Sequence, residues 1–145
     1  MKISTKGRYA LRMMIDLAVH GAQSPVSLKD TSQRQGISMK YMEQIAAILT
    51  KAGYVTSIRG AQGGYMLAKP AADYTVGDIL RTTERSLAPV SCLEEGSVQC
   101  ERCGSCPTVG FWKGLYQAVN DYVDSVSLQD MAEEQKQLGS REHVI

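Results

Sequence analysis

The chain has 145 residues, of which 43% are hydrophobic and 21% charged, a size that suits one domain with an appended element and is too small for most two-substrate enzymes. No stretch approaches the roughly 18 uninterrupted apolar residues of a membrane span, and the opening Met1-Lys2-Ile3-Ser4-Thr5-Lys6 lacks the apolar core of a signal peptide, so the expectation is a cytoplasmic protein with no membrane partner. The net charge of +1 conceals a polarity: residues 1–70 hold ten Lys and Arg against Asp16, Asp30 and Glu43, net +7, while residues 71–145 come to net −6, an asymmetry expected when the first half meets a polyanion and the second does not.

In chain order, Leu11, Met14, Ile15 and Ala18 recur at helical spacing between Thr5 and Val19, and Gly21 follows as a stop. The leading part of this helix displays Lys6, Arg8 and Arg12. Cations there sit badly with the positive end of a helix dipole unless an outside anion compensates them, and phosphate is the natural candidate. Ser27 and Asp30 have capping spacing for a short helix from Leu28 to about Gln35, which Gly36 terminates. Ile37 lies in the turn, and Ser38 is placed to cap a third helix ending at Ala52 before Gly53. Two helices separated by a glycine turn have the form of a helix-turn-helix, although an αα-hairpin unconnected with DNA has the same form. Met42, Ile45, Ala46 and Leu49 make the buried stripe of the third helix. Lys40, Tyr41, Glu43, Gln44 and Ala47 are left outward, where a recognition helix meets base edges. A carboxylate repels phosphate, so a DNA-facing Glu43 is useful as an acceptor from cytosine; a solvated Glu43 paired with a neighbouring lysine is the alternative.

Tyr54–Ile58 and Tyr65–Ala68 are β-rich and are joined by Arg59-Gly60-Ala61-Gln62-Gly63-Gly64, which reads as a hairpin with a flexible tip. A phosphate-cradling loop fits less well, because such loops lead from a strand into a helix and this one leads into a strand. As a wing, the tip brings backbone at Gly60 close to DNA and Arg59 into a narrow minor groove. The expected fold is thus mainly α: a winged helix-turn-helix with a small β-hairpin wing and a long C-terminal dimerisation helix.

Beyond Thr75, a capped helix from Val76 to about Thr83 precedes four cysteines, Cys92, Cys100, Cys103 and Cys106, and the rest of the chain has none. Set among glycine, serine and proline, they point to one ion or cluster. Thiolates favour zinc or an iron-sulfur cluster over hard cations, and the spacing leaves the two open. In a secreted chain the same four could form two disulfides. His20 and His143 sit in no metal-spaced motif. Val109, Trp112, Tyr116, Val119, Val123 and Val126 then repeat at threes and fours. This seam either packs on its own domain or forms a two-fold dimer interface, since single helix-turn-helix subunits usually read paired half-sites. Ser127 and Asp130 resemble the cap of a last helix. The divisions expected are residues 1–74 for DNA binding, 75–107 for a linking helix and cysteine-rich sensor loop, 108–138 for the dimerisation and C-terminal helices, and 139–145 for a flexible tail.

Lys2-Ile3-Ser4-Thr5-Lys6-Gly7-Arg8-Tyr9-Ala10, Gln35-Gly36-Ile37-Ser38 leading to Tyr41-Met42-Glu43-Gln44, and Arg59-Gly60 with Gly63-Gly64-Tyr65 together resemble the Rrf-type winged-helix transcription regulators, IscR-like members above all, with NsrR and CymR types as relatives. The resemblance covers the chain to about residue 131. It implies a homodimer on a palindromic double-stranded DNA operator, a long crossed dimerisation helix and a cluster held near that helix. It places Ser38, Lys40, Tyr41, Glu43 and Gln44 toward the major groove and Arg59 in the minor groove. Cys92, Cys100 and Cys106 match the three cysteines with which IscR-like members hold a two-iron cluster. Their histidine three residues beyond the last cysteine is Val109 here, and the acidic ligand that some relatives offer from the first helix is Arg8, which cannot ligate. Cys103 is therefore the expected fourth donor, with a 2Fe-2S cluster placed ahead of 4Fe-4S and zinc as the alternative cofactor. The function expected is a repressor that senses cluster or redox status and controls iron-sulfur biogenesis or sulfur-metabolism genes. The alternatives are a zinc-stapled, non-sensing regulator and an iron-sulfur electron carrier.

Overall fold

The computed structural model describes residues 2–96 and 104–142, with the backbone alone at 140–142. Its helices are α1 (Thr5–His20), α2 (Leu28–Gln35), α3 (Met39–Lys51), α4 (Val76–Thr83), α5 (Val109–Ser125) and α6 (Leu128–Glu142), with strands β1 (Val55–Ile58) and β2 (Gly64–Leu67) between α3 and α4. This is the expected mainly helical winged fold.

Local chemistry sets the boundaries. Ser4, Ser27 and Ser38 cap α1, α2 and α3 by accepting from the backbone N–H three residues on, which satisfies a donor the helix itself cannot. Gly36 ends α2 in the left-handed conformation, φ 65°, and lets the Ile37 N–H return to Ser32 O at 3.1 Å; a side chain there would be strained. Thr75 and Asp78 form a reciprocal capping box at α4. Ser127 and Asp130 do the same at α6, each backbone N–H reaching the other's side chain at 3.0 Å.

β1 and β2 pair antiparallel from Val55–Leu67 to Ile58–Gly64. A further bridge joins Tyr65 to Val26, just before α2, through backbone bonds of 3.0 and 2.8 Å. Gly64 is needed at this crossing because a Cβ would collide with Val26 O. Tyr74, fully buried, fixes the wing at its base: its hydroxyl donates to Tyr54 O at 2.7 Å and accepts from the Ala68 and Lys69 N–H groups at 3.1 and 3.3 Å.

Ala10, Met13, Met14 and Leu17 of α1 meet Met42, Ile45, Ala46 and Leu49 of α3 in the main core, joined by Tyr74, Ile79 and Leu128. The α3 stripe is the expected one. On α1 the expected stripe is rotated: Leu11, Ile15 and Ala18 are only half-buried, because the helix packs against α2, α3, α4, α6 and β2 and its most enclosed line runs through Ala10, Met13 and Leu17. Ile79 and Leu128 share this core, so packing crosses the expected boundary at residue 74.

Of the α5 seam, Tyr116, Val119, Val123 and Val126 pack on Val76, Leu80 and Leu87 in a second cluster, so this part of the apolar repeat is covered within its own subunit, the first of the two expected courses. Arg81 locks the same contact, reaching Asp124 at 2.7 and 3.0 Å and Asn120 at 2.9 Å. α6 continues through Gly139 to Glu142, since one glycine costs a helix only about 1 kcal/mol; the remainder of the expected tail lies outside the described residues.

A buried carboxylate absent from the expectations joins α2 to α1. Asp16 is 2% exposed and accepts from Arg34 at 2.9 and 2.8 Å, Thr31 at 2.9 Å and Gln35 at 3.1 Å. Burial pushes its pKa up, but the hydrogen bonds from Arg34, Gln35 and Thr31 and the Arg34 charge outweigh this and leave it below the ordinary value. Asp16→Asn is expected to cost about 3 kcal/mol in urea unfolding, the low end for breaking a buried pair because the Arg34 guanidinium keeps some water. A group with a depressed folded pKa stabilises above its unfolded value, near 3.9, and that contribution disappears as pH falls through the folded value. The parent protein should therefore lose stability below about pH 4 more steeply than Asp16→Asn.

Candidate nucleic-acid interface and cysteine segment

The α2–turn–α3 unit presents the start of α3 outward. Ser38, Lys40, Glu43 and Gln44 are exposed, as are Lys6 and Arg8 on the first turn of α1 and Arg59 and Gly60 at the wing tip. Lys6, Arg8, Lys40 and Arg59 form no ion pair with any described residue. Cations left unpaired on a helix-turn-helix and its wing remain available to an outside polyanion. Glu43 likewise enters no described ion pair, so no described lysine neutralises it in the way the alternative reading requires.

Two of the expected residues also make contacts within the fold. Tyr41 is half-buried, its ring edge-on to Tyr9 with centroids 5.3 Å apart, so it braces the start of α3 against α1. Arg12 is exposed but engaged: its guanidinium donates to Gln35 Oε1 at 3.1 Å and to the Gln35 carbonyl, and it lies 5.5 Å from the Tyr9 ring centroid. It therefore serves the C-terminal end of α2, where carbonyls lack partners. Of the ten cations in the basic half, Arg12 and Arg34 are thus engaged within the fold, and Lys69 lies 4.8 Å from the centroid of the Tyr74 ring.

The anion at the head of α1 is also partly internal. α1 has no acidic residue in its first turn, and Glu84, where α4 ends, supplies a carboxylate: its Oε1 accepts from the Ser4 N–H at 2.8 Å and the Ser4 hydroxyl at 2.7 Å. Sequence spacing could not pair residues 80 apart. Only the capping pattern of Ser4 marked that end of the helix.

Cys92 lies on a short turn, Ser91–Leu93, and Cys106 stands before α5 with its sulfur 3.4 Å from Thr108 Oγ1; both are half-buried. Cys100 and Cys103 lie outside the described residues, as does His143. Among the described residues no three potential metal ligands gather at one point. Val109, the first residue of α5, has no donor atom, and Arg8 is exposed and permanently charged. Thiolates suit a soft metal or cluster, and Cys92 and Cys106 are the two that the structure describes. No described helix is long and apolar enough to cross a membrane.

Residues 3–134 match the Rrf2 family, described as an iron-dependent transcriptional regulator. Protein rrf2 of Nitratidesulfovibrio vulgaris is 45% identical over 134 residues, covering 90% of this chain and 89% of that protein. The HTH-type transcriptional regulator IscR of Photorhabdus laumondii is 36% identical over 138 residues, 95% of this chain and 83% of that one. Among solved structures, CymR, the global cysteine regulator of B. subtilis, aligns with a TM-score of 0.78 at 40% identity over 92% of this chain and 98% of its own. IscR of T. potens gives 0.77 at 40% identity over 95% and 90%. These relatives are regulators and not enzymes, and the solved structures of CymR and IscR share the fold of this chain. The chain belongs to the Rrf2 family of transcriptional regulators, related to IscR and CymR.

Proposed function

We propose that this chain is a homodimeric repressor that binds a palindromic DNA operator and responds to the state of an iron-sulfur cluster or of the thiols that would hold it. The observation that carries the reading is the pairing, in one subunit, of an exposed unpaired cation set on the helix-turn-helix and wing with a four-cysteine segment whose two described ends flank the passage from α4 to α5. Glu43 and Gln44 supply base discrimination, Lys6, Arg8 and Lys40 hold phosphates, and Ser38 adds a polar contact at the head of α3. Arg59 and Gly60 take the minor groove. Tyr41 acts by bracing α3.

Cys92, Cys100, Cys103 and Cys106 would hold the cluster, with Cys103 as fourth donor, two irons ahead of four, and zinc as the competing occupant. When bound, such a cluster supplies a centre sensitive to oxygen or nitric oxide, and genes of iron-sulfur biogenesis or sulfur metabolism are the matching targets. The family assignment removes the electron-carrier alternative.

Tyr116, Val119, Val123 and Val126 of the α5 seam are covered within the subunit, and α5 carries a second line of apolar residues. Phe111, Leu115 and Tyr122 are exposed, Phe111 at 66% and Tyr122 at 71%, and with exposed Ala118 they repeat at spacings of four, three and four. A stripe of this period suits a crossed helix pair with a second copy. Sedimentation of the full chain should give a dimer, and Leu115→Glu with Tyr122→Glu should give a monomer that keeps its helical circular dichroism; a dimeric double variant would place the interface elsewhere.

Anaerobically purified protein is expected to be coloured, to contain iron and sulfide, and to lose colour in Cys92→Ala, Cys100→Ala or Cys106→Ala. Colourless protein with stoichiometric zinc would defeat cluster sensing and leave a regulator whose DNA binding ignores oxygen. On a selected operator, Glu43→Ala should relax base preference more than it weakens overall affinity, whereas Arg59→Ala should cost about 1–3 kcal/mol. A uniform effect of Glu43→Ala on all sequences removes its assigned role.

A further inference from the structure

Glu84 joins two regions that the chain keeps far apart. It ends α4, and the cysteine-bearing segment departs from it. Its carboxylate meanwhile holds both the backbone N–H and the hydroxyl of Ser4, and Ser4 Oγ in turn accepts the Gly7 N–H at 3.1 Å. Gly7 is buried, and a Cβ there would collide with Glu84 Oε1, so the first turn of α1 is fitted closely to this one side chain. Lys2, Glu84, Arg85, Ser91 and Glu94 line a common cleft, which brings the segment before α1, the end of α4 and the turn bearing Cys92 to one place.

We propose that Glu84 is a positioning residue for DNA binding: it fixes the N-terminal cap of α1 and thereby the placement of Lys6 and Arg8, and it ties that placement to the segment leading to Cys92. The inference rests on the reading of Lys6 and Arg8 as phosphate contacts. With its one O–H donated to Glu84, the Ser4 hydroxyl is oriented so that a lone pair accepts from the Gly7 N–H. Without that acceptor the cap can rotate away, the first turn loses a satisfied N–H and frays, and two cations on a fraying turn pay ordering entropy before they reach phosphate. The Glu84 carboxylate also lies at the positive end of the α1 dipole.

The sign of the effect separates this role from simple electrostatics. By charge alone, deleting an acid tightens binding to a polyanion. A positioning role predicts the reverse for Glu84→Ala and not for Glu84→Gln, whose amide oxygen still accepts from Ser4. The test is fluorescence anisotropy of the full-length protein on a labelled mixed-sequence duplex of about 30 base pairs over a salt series, where phosphate contacts dominate and each one lost lowers the slope by about 1. The Lys6→Ala, Arg8→Ala double variant should lower the slope by about 2. Glu84→Ala should weaken binding several-fold with a slope lower by about 1, Ser4→Ala should follow it, and Glu84→Gln should bind as tightly as the parent or more tightly. Parent-like or tighter binding by Glu84→Ala overturns the inference, and so does equal weakening by Glu84→Gln. Should Glu84→Ala not fold, a Ser4→Ala protein with the parent slope overturns it equally. A Lys6, Arg8 double variant that binds like the parent shows instead that the interface itself is misassigned, and the inference falls with it.

Discussion

One helix has to satisfy nearly every other element of this molecule while keeping its first turn outside. α1 packs against α2, α3, α4, α6 and β2, so its sides are filled and its orientation is fixed by apolar contact. The polar work is left to its two ends. At the head, Ser4 and Glu84 cap the helix from outside. Toward the tail, Asp16 gathers Thr31, Arg34 and Gln35, and a buried carboxylate with that many donors allows α2 few alternative seatings. The helix-turn-helix therefore stands on a polar lock as well as on a hydrophobic core.

This arrangement sorts the cations of the basic half. Those that close internal contacts, Arg12 of α1 and Arg34 of α2, bind across the α1–α2 contact, while Lys6, Arg8, Lys40 and Arg59 enter no described ion pair. Net charge alone suggested a polyanion partner. The structure shows which cations are engaged within the fold, and among those that are not, Lys6, Arg8, Lys40 and Arg59 lie on the first turn of α1, the head of α3 and the wing tip.

Much of this was legible in the residues. Serine and glycine punctuation marked α1, α2 and α3 within a residue or so, because capping and left-handed turns are local chemistry. The α3 stripe and the wing followed from periodicity in the same way. The α5 seam was legible as apolar but not as to its occupant, since a heptad reports that a face is covered and is silent about whether Leu80 or a second subunit covers it. Asp16, Tyr74 and Glu84 were not anticipated. Each is a single polar residue whose partners lie across the fold, and no spacing rule encodes a contact between Ser4 and Glu84. At the cysteines the chemistry of the donor set was readable from the chain, while Cys100 and Cys103 lie outside the described residues.

The bridge between Val26 and Tyr65 has a further consequence. It gives β2 a neighbour on both sides at that point, so of the two wing strands β1 has the more open outer edge. An open strand edge is where unrelated chains add on and aggregate, and natural proteins blunt such edges by keeping them short and polar. β1 is four residues long, with Thr56 and Ser57 at its centre, and its more apolar partner Tyr65-Met66-Leu67 is the strand shielded by Val26. The wing thereby offers little template for strand addition, which lets the protein display it openly without inviting self-association through that edge.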